Sequence, residues 1–173
     1  MLERYDPVAI LETLNRHGVA YVVIGGFAAT AYGSPLPTVD VDVTPEPSRE
    51  NLARLSCALT DLEARVRVDG IPDGLVFSHS VKSLAATSVL NLITRFGELD
   101  VVRRPAGTTY ESLASHALVV RLHDVDVPLA ALSDVIESKQ AANRPKDRQA
   151  LPILRVLEER SAREQRDKVQ GER

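Results

Sequence analysis

Tyr21-Val22-Val23-Ile24-Gly25-Gly26-Phe27-Ala28-Ala29-Thr30-Ala31-Tyr32-Gly33 is closely followed by Thr38-Val39-Asp40-Val41-Asp42-Val43. The run from Ala20 to Ile24 has the length of a strand and is almost wholly apolar, which predicts a strand covered on both faces. Gly25-Gly26 then permits a tight turn into a short small-residue helix over Phe27 to Tyr32, ended by Gly33. Pro35 and Pro37 keep the connection extended before the next strand. Side chains alternate across a strand, so Thr38, Asp40 and Asp42 are expected on one face and Val39, Val41 and Val43 on the other. Two carboxylates on one face, roughly 6–7 Å apart along the strand, repel each other unless a cation lies between them.

Upstream of this unit, Asp6 to Leu14 reads as a helix with Asp6 as its N-cap, Pro7 in the first position and Gly18 beyond its end. Downstream, Ser48 caps a helix to about Leu62, with Leu52, Leu55 and Leu59 on one face. Ala64 to Val68 and Leu75 to Ser78 are weaker strand candidates around a turn at Gly70, Pro72 and Gly74. Val89 to Thr94 and Glu98 to Val102 predict a hairpin across Arg95-Phe96-Gly97. Ala117 to Leu122 is a further strand, and Val125 to Val127 continues the sheet. From Leu129 the pattern turns helical, in two amphipathic helices separated by Asn143-Arg144-Pro145. The fold class is therefore α/β (α+β), with a mixed central sheet and a helical C-terminal part. Residues 1–128 form the core, 129–160 the C-terminal helices, and 161–173 a flexible charged tail, a fraying helix or disordered segment.

Composition narrows the function classes. A chain of 173 residues is long enough for one domain with a real core. A net charge of −3 excludes a generally basic nucleic-acid binder, though not a local basic patch. Three Phe, four Tyr and no Trp argue against single-strand recognition by stacking. The single Cys57 is expected to be a buried structural thiol. No apolar run approaches the ~20 residues of a membrane span and the N-terminus lacks a signal-peptide pattern, so a cytoplasmic protein is expected.

Asp40 and Asp42 form the kind of pair that a magnesium-dependent phosphoryl-transfer site needs, and a third carboxylate on a neighbouring strand would complete a two-metal site. Asp100, inside the apolar run Leu99-Asp100-Val101-Val102, is the candidate; the alternative is an acid facing solvent on an edge strand. Gly25 and Gly26 would let phosphate oxygens approach backbone N–H groups at a helix N-terminus, or they form a plain tight turn. Lys139 continues the apolar stripe of Leu132, Val135 and Ile136, as an ammonium aimed at nucleotide phosphates or a lysine snorkelling to the helix end. Asp147 either orients Lys139 or complements the dipole of its own helix. His123-Asp124-Val125-Asp126 reads as a solvated hairpin, and His17, His79 and His116 lack ligand spacing. Ser80, Ser83 and Ser88 show no nucleophile elbow.

Gly25-Gly26, Asp40-Val41-Asp42 and Leu99-Asp100-Val101 together resemble the three-part signature of the DNA polymerase β-type nucleotidyltransferase superfamily. Lys139 with Arg144-Pro145-Lys146-Asp147 is similar to the C-terminal motif of its AbiEii and MenT group of toxins. Leu36 stands where that group often has an arginine, and Gln149-Ala150 where an acid is common. The resemblance implies a nucleotidyltransferase fold and two Mg2+ ions held by Asp40, Asp42 and Asp100. It implies catalytic roles for these acids, Lys139 and Asp147, and nucleotide binding by Gly25, Gly26 and Lys139. The implied reaction passes a nucleotide, by preference a pyrimidine, from a nucleoside triphosphate to the 3′ end of tRNA and so blocks translation. A cognate antitoxin, in some members a kinase that phosphorylates the position of Thr38, would restrain it. Arg103, Arg104, Arg144, Lys146 and Arg148 are expected to supply local positive surface for an RNA backbone. The alternatives are transfer to a small molecule such as an aminoglycoside, or to a protein hydroxyl, and a non-catalytic nucleotide- or antitoxin-binding module.

Overall fold

A computed structural model describes residues 5–171, the side chains of 165–171 excepted. The elements run α1 (Pro7–Arg16), β1 (Tyr21–Ile24), α2 (Gly25–Ala31), β2 (Asp40–Pro45), α3 (Arg49–Asp61), β3 (Arg65–Val68) and β4 (Ile71–Leu75). They continue with α4 (Val81–Ala86), β5 (Val89–Thr94), β6 (Gly97–Val102), α5 (Tyr110–His116), β7 (Leu118–Leu122), β8 (Val125–Leu129), α6 (Leu132–Ala142) and α7 (Pro145–Gly171). The strands form one mixed sheet in the order β4-β3-β5-β6-β2-β1-β8-β7. The β2–β6 and β1–β8 pairs are parallel and the others antiparallel. The mixed sheet with a helical C-terminal part is the architecture expected from the sequence.

The register that matters most lies at the middle of this sheet. β2 pairs with β6 so that Val41 faces Leu99, Asp42 faces Asp100 and Val43 faces Val101. Alternation sends Val41, Val43, Leu99 and Val101 to the core, all fully buried, and leaves the acids on the opposite face. A one-residue slip would bury the acids and expose the valines, so the hydrophobic pattern itself fixes where the acids meet. Four fully buried residues from α1 and α3 (Ile10, Leu11, Leu52 and Leu55) contribute to the same core. At about 25 cal/mol per Å2, each buried leucine or isoleucine contributes roughly 1.5–3 kcal/mol.

Local polar contacts secure the ends of the elements. Asp6 accepts from the Ala9 N–H and Pro7 opens α1, as the sequence predicts. The buried Asn51 side chain accepts from the Ala20 N–H at 2.7 Å and donates to the carbonyls of Ala20 and Glu46 at 2.8 Å each. It thereby clasps the start of β1 to the end of β2, a role that nothing in the local sequence pattern advertises. Asn143 ends α6 in the left-handed conformation, φ +48°, and Pro145 opens α7.

Several local expectations are corrected. The second weak strand is Ile71–Leu75, not Leu75 to Ser78, and it runs through the residues expected to turn. Pro72 is tolerated there because β4 is the sheet's outermost strand and has a side that needs no donor. The helices α4 and α5 have no counterpart in the sequence pattern; both are short and begin at capping hydroxyls, Ser80 and Thr109. The short helix after β1 starts at Gly25 itself. Thr38 lies ahead of β2, not within it. Cys57 is exposed, because the buried stripe of α3 follows Leu52, Leu55, Ala58 and Leu59 and leaves position 57 facing out. The backbone of 161–171, expected as a charged tail, is continuous with α7, and residues 172 and 173 lie outside the described residues, as do 1–4. No described helix is long and apolar enough to cross a membrane.

Candidate active site

β2 and β6 bring Asp40, Asp42 and Asp100 together, with one carboxylate oxygen from each within 4.8 Å of the others. Asp100 is therefore a central-strand acid, which removes the edge-strand alternative. Burial pushes the Asp42 carboxyl up to about 7, and the neighbouring charges of Asp40 and Asp100 add to this; Lys146 and a hydrogen bond from the Gly26 N–H only partly oppose it. Asp100 is also raised, by burial first, although the charge of Arg67 works in the other direction. The described cluster thus carries more negative charge than its protein neighbours relieve. Its donors are all hard oxygens, the set a small divalent cation such as Mg2+ takes, and a cation would relieve that repulsion.

The glycine turn is shaped around Asp42. Gly25 has φ +69°, and a Cβ there would lie 2.1 Å from Asp42 Oδ2. Gly26 is crowded by Thr38, whose Oγ1 would come within 2.9 Å of an added Cβ. The two glycines therefore serve both the turn and the close approach of the helix start to the acids. The Thr38 hydroxyl donates to Asp40 Oδ1 at 3.0 Å and to the Asp40 carbonyl at 3.2 Å, so it borders the acids from outside the strand. Tyr5 donates to the same carbonyl at 3.0 Å.

Arg67 on β3 is a site residue that sequence reasoning misses. Its guanidinium pairs with Asp100 Oδ1 at 3.3 Å and also with Glu98, which fixes the carboxylate laterally on the sheet. A two-residue alternation of Arg65 and Arg67 in a weak strand gives no sign of it; only the β3–β5–β6 order carries Arg67 to Asp100.

The cavity also has cationic lining. Lys139 on α6 is not a snorkelling lysine: its ammonium lies 3.4 Å from Asp147 Oδ1 and its side chain is only 15% exposed. Asp147 is fully buried and also accepts from Arg144, at 2.6 Å from Nε, 3.3 Å from Nη2 and 3.2 Å from the backbone N–H. Burial opposes its ionisation, yet the hydrogen bonds and charge of Arg144, with the charge of Lys139, hold its carboxyl below the usual range. Asp147 therefore anchors the wall and does not act mainly on its helix dipole. Lys139, Arg144, Lys146 and Arg104 line a cavity of about 600 Å3 that also contains Gly25, Gly26 and the three acids.

Two members of the expected basic surface are engaged internally. Arg103 donates to the carbonyls of Leu84, Ala85 and Thr87, closing the end of α4. Arg148 donates to the Asn143 carbonyl and side chain. The His123-Asp124-Val125-Asp126 segment forms the β7–β8 hairpin, with Asp124 and Asp126 exposed and paired with Arg121.

No family model matches the sequence, and no curated protein does either. Among solved structures the chain is similar to TM1012 of Thermotoga maritima, assigned as a nucleotidyltransferase, at 18% identity and a TM-score of 0.53, covering 84% of this chain and 88% of that one. It is similar to the lincosamide antibiotic adenylyltransferase LnuA with lincomycin bound, at 14% identity and TM-score 0.58, covering 87% and 95% respectively. It is also similar to the antibiotic-resistance factor ANT(2'')-Ia, at 15% identity and TM-score 0.54, covering 96% and 93%. At these identities the likeness is one of fold, and the fold is that of the nucleotidyltransferases.

Proposed function

We propose that this chain is a divalent-metal-dependent nucleotidyltransferase that moves a nucleotide from a nucleoside triphosphate to a hydroxyl acceptor and releases pyrophosphate. The observation that carries this reading is one cavity lined by the three acids, the glycine turn and a set of cations anchored on a buried acid. Asp40, Asp42 and Asp100 would hold two Mg2+ ions, which when bound stabilise charge on the attacking and leaving oxygens. Asp100, held by Arg67, takes the proton of the acceptor hydroxyl. The acceptor oxygen bonds to the α-phosphorus as the bond from that phosphorus to the bridging oxygen of the β-phosphate breaks, and pyrophosphate leaves with the electron pair. Lys139, Arg144 and Lys146 neutralise the triphosphate, with Asp147 keeping the first two in place. Gly25 and Gly26 let the phosphates lie against the start of α2.

For the acceptor we infer the 3′ end of tRNA, in the manner of a toxin restrained by a partner antitoxin. Arg104, beside the cations assigned to the triphosphate, extends the basic lining of the cavity toward an acceptor with a phosphate backbone. A second reading, transfer to a small antibiotic-like molecule, is favoured by the fold likeness to two antibiotic-related proteins and by the internal use of Arg103 and Arg148. One experiment separates them: incubation with Mg2+, each labelled nucleoside triphosphate in turn, and either total tRNA, a lincosamide or an aminoglycoside. Label in tRNA supports the first reading and label in the small molecule the second. Nucleotide binding with no transfer to any acceptor would leave the non-catalytic module.

A further inference from the structure

The sheet order separates the two flanks of the acids. β1 lies on one side of β2 and leads through the glycine turn into α2; α6 packs against α2, and α7 against α6. Every group assigned to the triphosphate therefore belongs to the β1 flank. β6 and then β5 lie on the other side of β2. In an in-line displacement the attacking hydroxyl arrives from the side away from the leaving pyrophosphate. That side is the β5 flank.

One polar side chain there is uncommitted. Asn91 on β5 stands directly opposite Asp100 on β6, so the two share a face with Cβ atoms roughly 4.5–5.5 Å apart. Asn91 is exposed and lines the cavity, and its amide has no partner among the described residues. Arg67 reaches across β5 from β3, but it pairs with Glu98 and Asp100 and leaves the amide free. One side-chain repeat along, Val89 stands opposite Val102; both line the cavity, and Val89 is 46% exposed. The β5 flank is thus an open floor with a carboxylate, a free amide beside it and an apolar patch next to both.

We propose that this floor seats a vicinal diol and that Asn91 is the residue that positions it. The inference rests on the nucleotidyltransferase reading and names the chemistry of its acceptor. Asp100 takes the proton of one hydroxyl while the Asn91 amide holds the hydroxyl on the adjacent carbon. Two side chains of equal length at this spacing have heads about 5 Å apart, and each reaches about 2.7–3.0 Å to an oxygen, so oxygens on neighbouring carbons meet both. A hydroxyl donates and accepts, as an amide does, whereas a phosphate or an ammonium calls for a charge that Asn91 lacks. The carbon face of the sugar lies on Val89 and Val102. The terminal ribose of an RNA and the sugar ring of a small molecule both present such a pair; a 2′-deoxy end does not.

The test gives the full chain MgCl2, each labelled nucleoside triphosphate, and one of three acceptors. These are an RNA hairpin with a single-stranded 3′ adenosine, the same hairpin ending in 2′-deoxyadenosine, and lincomycin, whose sugar carries neighbouring hydroxyls. Triphosphate affinity, measured alongside, is the control for an intact fold. The wild type is expected to use the ribose end roughly 3–10-fold better in kcat/KM than the deoxyribose end. Asn91→Leu should bring that ratio close to one, and Asn91→Gln should restore part of it. Label in lincomycin alone would make a small-molecule sugar the source of the diol, with the same loss expected in Asn91→Leu. Equal use of the two hairpin ends overturns the proposal, and so does an Asn91→Leu protein that transfers as the wild type does. Triphosphate binding with no label in either diol acceptor overturns this inference and leaves the donor half of the nucleotidyltransferase reading; no triphosphate binding removes that reading as well.

Discussion

Replacing Asp42 by asparagine tests the electrostatics of the acidic cluster without any assumption about substrate. An ordinary aspartate loses its proton near 3.8, whereas Asp42 holds it to about 7. A displacement of that size corresponds to about 4 kcal/mol. Because the folded state binds the proton more tightly than the unfolded chain, the stabilising contribution is complete below the unfolded value. It is lost as pH rises from about 4 to about 7, and beyond that the metal-free protein carries the full burden of three crowded carboxylates. Asp42→Asn lacks that charge at every pH. In EDTA at pH 8 it is expected to be more stable than wild type by up to about 4 kcal/mol, a rise in Tm on the order of 10 °C for a domain of this size. At pH 5 the advantage should fall to about 1.7 kcal/mol, approaching zero only below about pH 4. Added Mg2+ should raise the wild-type Tm at pH 8, by about 2.7 kcal/mol at a hundred times its Kd, and leave Asp42→Asn almost unmoved. Differential scanning calorimetry across pH 5–8, with and without Mg2+, measures all of this on one pair of proteins. A stability difference that does not change with pH would refute the like-charge account, and an equal Mg2+ response in both proteins would refute the metal assignment.

Further outcomes concern the other walls of the cavity. Lys139→Ala is expected to lower transfer by about 2–4 kcal/mol in kcat/KM with the fold intact, whereas a Lys139→Met protein of wild-type activity would make the ammonium dispensable. Asp147→Ala leaves Lys139 and Arg144 without their buried partner and should destabilise by about 3–5 kcal/mol in urea unfolding; a loss under 1 kcal/mol would mean the wall holds itself. Gly25→Ala must accept φ +69° and a Cβ driven into the Asp42 carboxylate, so both Tm and Mg2+ affinity should fall, and retention of both would show the turn to be adaptable. Phosphorylation of Thr38, which adds roughly −1.5 to −2 charge beside Asp40, or its imitation by Thr38→Glu, should abolish the proposed transfer. If the toxin reading holds, mass spectrometry after co-expression with a cognate antitoxin would find that phosphate, and suppression with an unmodified Thr38 would point to control by occlusion.

The residues that announce themselves in the sequence are those that break a local pattern. Asp40, Asp42 and Asp100 interrupt apolar strands and Lys139 interrupts an apolar helix face, so each is legible from the order of residues alone. Arg67 is not. It lies in a strand whose pattern is weak, and its partnership with Asp100 is a product of strand order alone. Asn51 hides in the polar positions of an amphipathic helix, and Arg103 follows a strand as an exposed cation would, although its carbonyl partners make it a helix terminator. Cys57 misleads for the opposite reason: its residue type favours burial, but its angular position on α3 does not. The short helices α4 and α5 rest on capping hydroxyls and one buried leucine each, too little periodicity to read.

The two halves of the cavity also differ in how much of the chain must be assembled to make them. Lys139, Arg144 and Asp147 meet across separations of eight residues or fewer, so their geometry is a property of one helical hairpin. Asp42 meets Asp100 only after β2 and β6 pair in parallel, with β3, β4 and β5 intervening in sequence. Contact order makes the hairpin the fast half and the parallel pairing the slow half. Asp100 is therefore kept apart from Asp40 and Asp42 until the sheet closes, and its repulsion opposes the late, cooperative step of folding and not its nucleus.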